Sequence, residues 1–222
     1  MKVGIRKDCP TLFWPLREEP EFNPYFGLIN GRCIDINKST VARLSENIFG
    51  YECKIDPRDY SAPYVRKSEI NARHDGIVLH KPTEPDTRYV YQRLVNNESG
   101  DGMVEDLRII YMRNVLPILY RKLRPVSSRF ANKNTVVTIE RTSLFISEVE
   151  ARRIELLSEA IGLEYGEIDA LRDRTNGLLY VVDINRTPAG PPNGLPRRES
   201  RLAVKQIATS FKDAFGVEAI CN

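Results

Sequence analysis

Histidine is almost missing from this chain: His74 and His80 are the only two in 222 residues. So little imidazole leaves scant material for a Ser-His-Asp or Cys-His nucleophilic centre. Cys9, Cys33, Cys53 and Cys221 are scattered with no CxxC spacing, so neither a zinc site nor a disulfide framework is indicated. Long apolar runs are missing too. The stretch 178–182 is far too short to span a bilayer, and the opening MKVGIRKDCPTLFWPLREE lacks the apolar core and cleavage site of a signal peptide. Net charge is only +3, without the broad basic surface that nucleic acid demands. The expectation is a reduced, cytoplasmic protein with neither a membrane nor a nucleic-acid partner.

Hydrophobic residues make up 41% and charged ones 28%, the balance of an ordinary globular protein. The length allows one large domain or two small lobes. Residues 1–34 are rich in proline and aromatics and read as an extended segment, with a short strand at 2–5 or 32–36. Residues 35–50 read as a helix with Val41, Leu44 and Ile48 on one face and Gly50 as its stop. Strands are expected at 51–56, 64–67, 77–80, 89–95, 106–113, 115–123 and 136–141, with a polar segment at 96–102. Ser147 and Glu150 stand in capping-box spacing before a helix whose apolar stripe is Val149, Ile154, Leu157 and Ile161. A last helix, 200–215, is expected to turn Leu202, Val204, Ile207, Phe211 and Phe215 inward. Strands and helices are mixed with prominent hairpins, so the class is α+β.

Residues 165–192, YGEIDALRDRTNGLLYVVDINRTPAGPP, are the most informative stretch. They read as a strand ending at Asp169, a turn centred on Asn176 and Gly177, and an apolar strand delivering Asp183 and Asn185 before a proline-rich loop. Residues two apart on a strand share a face, so Asp183 and Asn185 project together and Asp169 sits opposite. Two carboxylates and an amide oxygen at a strand end suit Mg²⁺ held partly by protein and partly by phosphates. Asp169, Gly177, Asp183, Asn185 and Pro188 together resemble the metal-binding hairpin of the ATP-grasp superfamily, with aspartate at 183 where that family usually has glutamate.

The resemblance implies two α+β lobes clasping ATP: a smaller lobe at 35–95 and a larger one with the metal site at 96–222. It implies ATP and one or two Mg²⁺ ions as cofactors, with Asp169, Asp183 and Asn185 as the metal ligands. Lys38 resembles the first phosphate-contacting lysine and Lys67 the second, ahead of a phosphate-covering loop at 68–76 that offers Asn71, Arg73 and His74. Lys81 is the rival to Lys67, disfavoured by the short chain left before the next strand. The strand 89–95 resembles the adenine hinge, with backbone groups of Arg93, Leu94 and Val95 meeting the adenine edge, Gln92 serving the exocyclic amine and Glu98 the ribose. Asp106 and Arg108 resemble the DxR strand, placing Arg108 at the transferring γ-phosphate, unless the two merely pair with each other.

The activity implied is activation of a carboxylate as its acylphosphate and capture by an amine, a thiol or another nucleophile. Arg108, Lys67 and Asp183 are the residues expected to carry it. Arg121, Lys122, Arg124 and Arg129 form a basic cluster suited to an acceptor carboxylate or phosphate, and Arg186 is a further candidate at the metal. The substrate is a small molecule or peptide with a carboxylate. Only 37 residues precede Lys38, so the expectation is that either loops build the acceptor pocket or a protein partner supplies it. A nucleotide-binding module without catalysis and a phosphotransferase acting on another acceptor are the alternatives.

Overall fold

The computed structural model describes residues 28–216, except 71, 72 and 74, together with Thr11 and Leu12. The expectations at 2–5 and for Asn71, His74, Cys9 and Cys221 lie outside the described residues. Strands β1 (Thr11–Leu12) and β2 (Leu28–Ile29) form a short parallel pair. Helix α1 (Lys38–Phe49) follows and ends on left-handed Gly50, as the sequence predicts. Strands β3 (Tyr64–Ser68), β4 (Ile77–Leu79) and β5 (Tyr89–Arg93) make a three-stranded antiparallel sheet with β3 in the middle.

The larger sheet begins with β6 (Glu98–Gly100), which hairpins into β7 (Met103–Met112), and continues through β8 (Leu119–Pro125) and β9 (Val136–Glu140). Helix α2 (Glu148–Ile161) then leads to β10 (Tyr165–Arg172) and β11 (Leu179–Asn185), and α3 (Arg197–Phe215) closes the chain. The order is β11-β10-β7-β8-β9, with β6 on β7, and every pairing is antiparallel. The architecture is α+β. No helix among the described residues is long and apolar enough to cross a membrane.

Strand periodicity divides this sheet into two faces. On β7, Leu107, Ile109 and Tyr111 pack with Val41 and Phe49 of α1 and with Ile154 and Leu157 of α2. The opposite face carries Ile110 and Met112, which α3 covers through Ala203, Ile207 and Phe211. Two residues back along that same face, the apolar cover stops and Asp106 and Arg108 take over. The charged residues therefore occupy the uncovered part of a sheet whose other face is a continuous core.

Several local expectations need correction. The strand at 51–56 is only an isolated bridge between Lys54 and Gln92. The polar segment 96–102 contains β6, and the first strand of the hairpin runs past Asp169 to Arg172. Strand β8 starts only at Leu119, because Pro117 interrupts the run. The capping box of α2 forms as predicted, with Ser147 and Glu150 bonding reciprocally. Val149 is exposed, however, and so are Leu202 and Val204 on α3. The buried face of α3 follows Ala203, Ile207, Phe211 and Phe215, a four-residue spacing that Leu202 and Val204 flank without joining.

Helix α2 ends on Gly162 at φ 77°, where an added Cβ would lie 2.6 Å from the Arg32 carbonyl. Gly50 has a similar φ of 81° but open space around it. Alanine at either position meets the left-handed backbone cost of about 1–2 kcal/mol. Only Gly162→Ala adds a collision, worth a further ~1–3 kcal/mol. Denaturant unfolding should therefore show Gly162→Ala to be clearly the less stable variant; equal losses would contradict the close approach to Arg32.

Candidate active site

The hairpin β10–β11 sets Asp169 opposite Asp183 and Glu167 opposite Asn185, with a register shift between Asp169 and Ala170. Ala170 pairs with Val181 and Asp169 with Asp183, so Val182 is one residue too many. This is a β-bulge, and it changes which way the strand looks. Leu179 and Val181 point into the core with Ile168 and Ala170. In a regular strand Asp183 would follow them inward. The extra residue reverses the phase, so Ile184 takes the core position and Asp183 turns to the open face. The carbonyl of Val182 accepts a hydrogen bond from Lys67 Nζ at 2.9 Å, tying the smaller sheet to the bulge.

The result is a cavity of about 840 Å³ lined by Lys38, Lys67, Arg108, Asp169, Asp183 and Asn185, among others. Six of the residues singled out from the sequence are thus brought together. Lys38 opens α1, and its Nζ lies 3.4 Å from the Ile70 carbonyl. Lys81 is exposed and lies outside the cavity lining; its carbonyl accepts a bond from Tyr64.

The charges are arranged as an alternating row. Arg108 donates to both oxygens of Asp169 through Nε and Nη2, each at 3.0 Å, and Lys122 Nζ donates to the same carboxylate at 2.8 Å. Burial would raise the Asp169 pKa, but Lys122 and Arg108 together outweigh it and hold the carboxyl well below the usual range. Arg108 also lies 3.2 Å from Glu167, a buried carboxylate. Burial raises the Glu167 pKa despite Arg108. The expected alternative, a pair between Asp106 and Arg108, does not form; Asp106 is bound by Arg124.

Asp183 contrasts with Asp169. Its Oδ1 is buried and has no hydrogen-bond partner. Burial pushes its pKa up, against the pull of Lys38 and Lys67, and burial likewise depresses the Lys67 ammonium, which Asp183 partly supports. A buried oxygen with open lone pairs fits a hard cation. The rest of the set is less free. Asn185 Oδ1 accepts from the Thr187 amide and hydroxyl, each at 3.0 Å. Among the described residues no group of three or more His, Cys, Asp and Glu side chains forms a metal cage. The donors therefore suit a Mg²⁺ ion that takes few protein oxygens and completes its shell with phosphate and water.

The residues expected at the adenine edge and the ribose lie outside the cavity lining. The outer edge of β5 is already paired: the Arg93 amide donates to the Cys53 carbonyl at 2.8 Å, and the Ile55 amide donates to the Tyr91 carbonyl. The Val95 carbonyl accepts from Asn97. Gln92, Arg93, Leu94, Val95 and Glu98 do not line the cavity, so the adenine edge expected there has lost part of its hydrogen-bonding capacity to the segment 53–55. Arg186 is buried, donates to the carbonyls of Cys33 and Ile34 and also lines the cavity. Cys33 and Cys53 are inert, since burial pushes their thiols up to about 12 and about 11. Sequence reading missed Glu167, two residues before Asp169, and the bulge at Val182. The apolar positions Leu179, Val181 and Ile184 break a two-residue period and signal that bulge.

No family model matches the sequence, and no curated protein matches it. Solved structures do. D-alanine–D-alanine ligase from Bacillus anthracis, complexed with ATP, matches at a TM-score of 0.51 and 14% identity over 87% of this chain and 70% of that one. The ATP-grasp ligase PsnB, complexed with precursor peptide PsnA2 and AMPPNP, matches at 0.52 and 13% identity over 83% of this chain and 62% of that one. The fold is that of the ATP-grasp proteins. The chain spans less than two thirds of the length of PsnB, and another PsnB structure, with a minimal precursor, gives 64%. Within the ATP-grasp fold, this chain's bulged hairpin, its DxR strand and two lysines face one cavity.

The two aspartates should respond in opposite ways to loss of charge. The fold favours ionised Asp169, so its carboxylate contributes stability at neutral pH that is lost as pH falls. The fold disfavours ionised Asp183, so at neutral pH its charge costs stability. Without nucleotide or Mg²⁺, Asp169→Asn should lower the melting temperature at pH 7 and Asp183→Asn should raise it. The reverse order would contradict the charge arrangement described.

Proposed function

We propose that this cavity binds the phosphates of Mg-ATP and that the protein is an ATP-dependent ligase, activating a carboxylate and joining it to an amine, a thiol or another nucleophile. The observation that carries the reading is the convergence of Lys38, Lys67, Arg108, Asp169 and Asp183 on the cavity, with Asp183 turned into it by a bulge and left with an unpartnered oxygen. Cavities of this size suit a nucleotide-scale ligand. The described site holds no histidine among its lining residues, and the proposed chemistry needs no protein nucleophile.

In this reading an acceptor carboxylate oxygen attacks the γ-phosphorus, ADP departs, and the acylphosphate is opened by the nucleophile with release of phosphate. Magnesium, held by Asp183 with Asp169 and Asn185 beside it, would supply charge neutralisation at the phosphates. Lys38 and Lys67 contribute point charges on flexible stems to the same oxygens. Arg108 offers a planar fork, held ready by Asp169 on two nitrogens and by Glu167 on the third. An arriving phosphoryl group must share that fork, which makes Arg108 sensitive to the charge that develops in transfer.

The acceptor is a small molecule or a peptide. PsnB complexed with its precursor peptide supports the peptide alternative, and a protein partner that completes the acceptor site is compatible with it. Dependence on ATP and the two buried free thiols suit a cytoplasmic setting.

Two measurements test this reading. Lys67→Met should weaken Mg-nucleotide affinity far more than Lys81→Met, because only Lys67 lines the cavity; equal effects would overturn the phosphate assignment. In a screen of carboxylates with hydroxylamine as trap, ADP and hydroxamate should form in equal amounts. Arg108→Ala should then lower kcat on the order of a hundredfold while the KM for ATP moves less. ADP release without hydroxamate would point away from carboxylate activation.

A further inference from the structure

The basic cluster at residues 121–129 does not act as a unit. Arg121 pairs with Glu105, Lys122 with Asp169 and Arg124 with Asp106. Arg124 also donates from Nη1 to the carbonyls of Arg129 and Ala131 at 3.1 and 3.0 Å. Arg129 differs from all three. Its guanidinium makes no hydrogen bond to a described residue, its Nε is buried without a partner, and the nearest carboxylate, Glu98, stands 3.9 Å away. That is beyond hydrogen-bond reach. Its side chain is only 12% exposed, yet it lines the cavity.

The backbone that carries this side chain is firmly held. The Arg129 amide donates to the Val126 carbonyl at 3.2 Å, and Arg124 grips the Arg129 carbonyl. Phe130 packs on Gly76 so closely that a Cβ there would come within 2.6 Å of the ring. A fixed backbone therefore presents a desolvated guanidinium with empty donor positions. Burying a guanidinium that has no hydrogen-bond acceptor, with one long ion pair to a half-exposed carboxylate, is costly, and the cost is relieved when an anionic ligand supplies acceptors. Burial also lowers the Arg129 pKa, against Glu98 and Asp106.

Register gives the distance from the metal side. Arg124 pairs with Val104 on β7, and Asp169 pairs with Arg108 on the same strand. Four residues of strand separate those two positions, on the order of 13 Å, and the Arg129 loop is anchored at the Arg124 end. We propose that Arg129 is a specificity-determining residue that binds a second carboxylate on the acceptor, so that the ligase takes a polyacidic substrate, of which an acidic peptide is the best fit. The carboxylate to be activated lies at Arg108, and the second one, several bonds away, completes the guanidinium of Arg129. The inference rests on the ligase reading and names the substrate class of that same cavity.

The test uses the unmodified chain and an arginine-selective reagent, phenylglyoxal, with modification located by peptide mass. Arg129, uncommitted and facing the cavity, should react faster than Arg124. The acetylated, amidated peptide Glu-Gly-Glu should slow reaction at Arg129 by roughly fivefold or more once the site is mostly filled. Its Gln-Gly-Gln counterpart and Mg-ADP should leave the rate unchanged. Protection by Mg-ADP, with or without the peptide, would assign the guanidinium to a nucleotide phosphate and overturn the proposal. Equal protection by both peptides, protection by neither, or no reaction at Arg129 would overturn it as well. The heat of Mg-ADP binding, measured separately, reports on the nucleotide reading, so failure of one is distinguishable from failure of the other.

Discussion

One extra residue in β11 decides which side chains of this molecule face the cavity. Without the bulge at Val182, Asp183 would sit beneath the sheet beside Val181, in the core that α1 and α2 cover. An ionised carboxylate there would meet the full cost of burial with no cation near it. With the bulge, the same side chain reaches a face where Lys38 and Lys67 supply compensating charge. The displaced carbonyl of Val182 is taken by Lys67, so the contact that stabilises the bulge also positions a cation at the cavity. Fold and site share that hydrogen bond.

The surrounding electrostatics follow from where the apolar cover ends. Helix α3 covers Ile110 and Met112, and on the neighbouring positions of the same sheet face Asp106 pairs with Arg124 while Arg108 and Lys122 share Asp169. Buried pairs of this kind rarely add stability over a hydrophobic alternative. Their persistence beside an unpartnered Asp183 oxygen and an Arg129 Nε without an acceptor fits a surface arranged for charged ligands. Asp169 is held by two cations and Asp183 by none at hydrogen-bond distance to Oδ1, so the two members of the hairpin are unequal before any ligand arrives.

Much of this was legible in the sequence, because alternation and turn chemistry are local. Asp183 and Asn185 two apart, Asn176 and Gly177 at the turn, the Ser147–Glu150 capping box and the inward set Ile154, Leu157 and Ile161 all follow from spacing alone. The pairing of Asp169 with Asp183 depends on the bulge as well as the turn, since the register of Ala170 with Val181 would otherwise set Asp169 opposite Val182. What spacing could not supply is long-range. The partner of Arg108 is Asp169 and not its strand neighbour Asp106, because a cross-strand carboxylate is nearer to the guanidinium than one along the chain. Spacing likewise gave no sign that residues 53–55 pair with β5, where they take the Arg93 amide and the Tyr91 carbonyl. Leu202 and Val204 look inward on composition, yet α3 meets the sheet through Ala203 and Ile207.

The central claim is that a bulged hairpin and two lysines form a Mg-nucleotide site. Isothermal titration of the wild-type chain with AMPPNP tests it most directly, with and without Mg²⁺. The account predicts saturable binding in millimolar Mg²⁺ that weakens by about tenfold or more when EDTA removes the metal. Absence of binding in Mg²⁺, or binding of equal strength in EDTA, would contradict it.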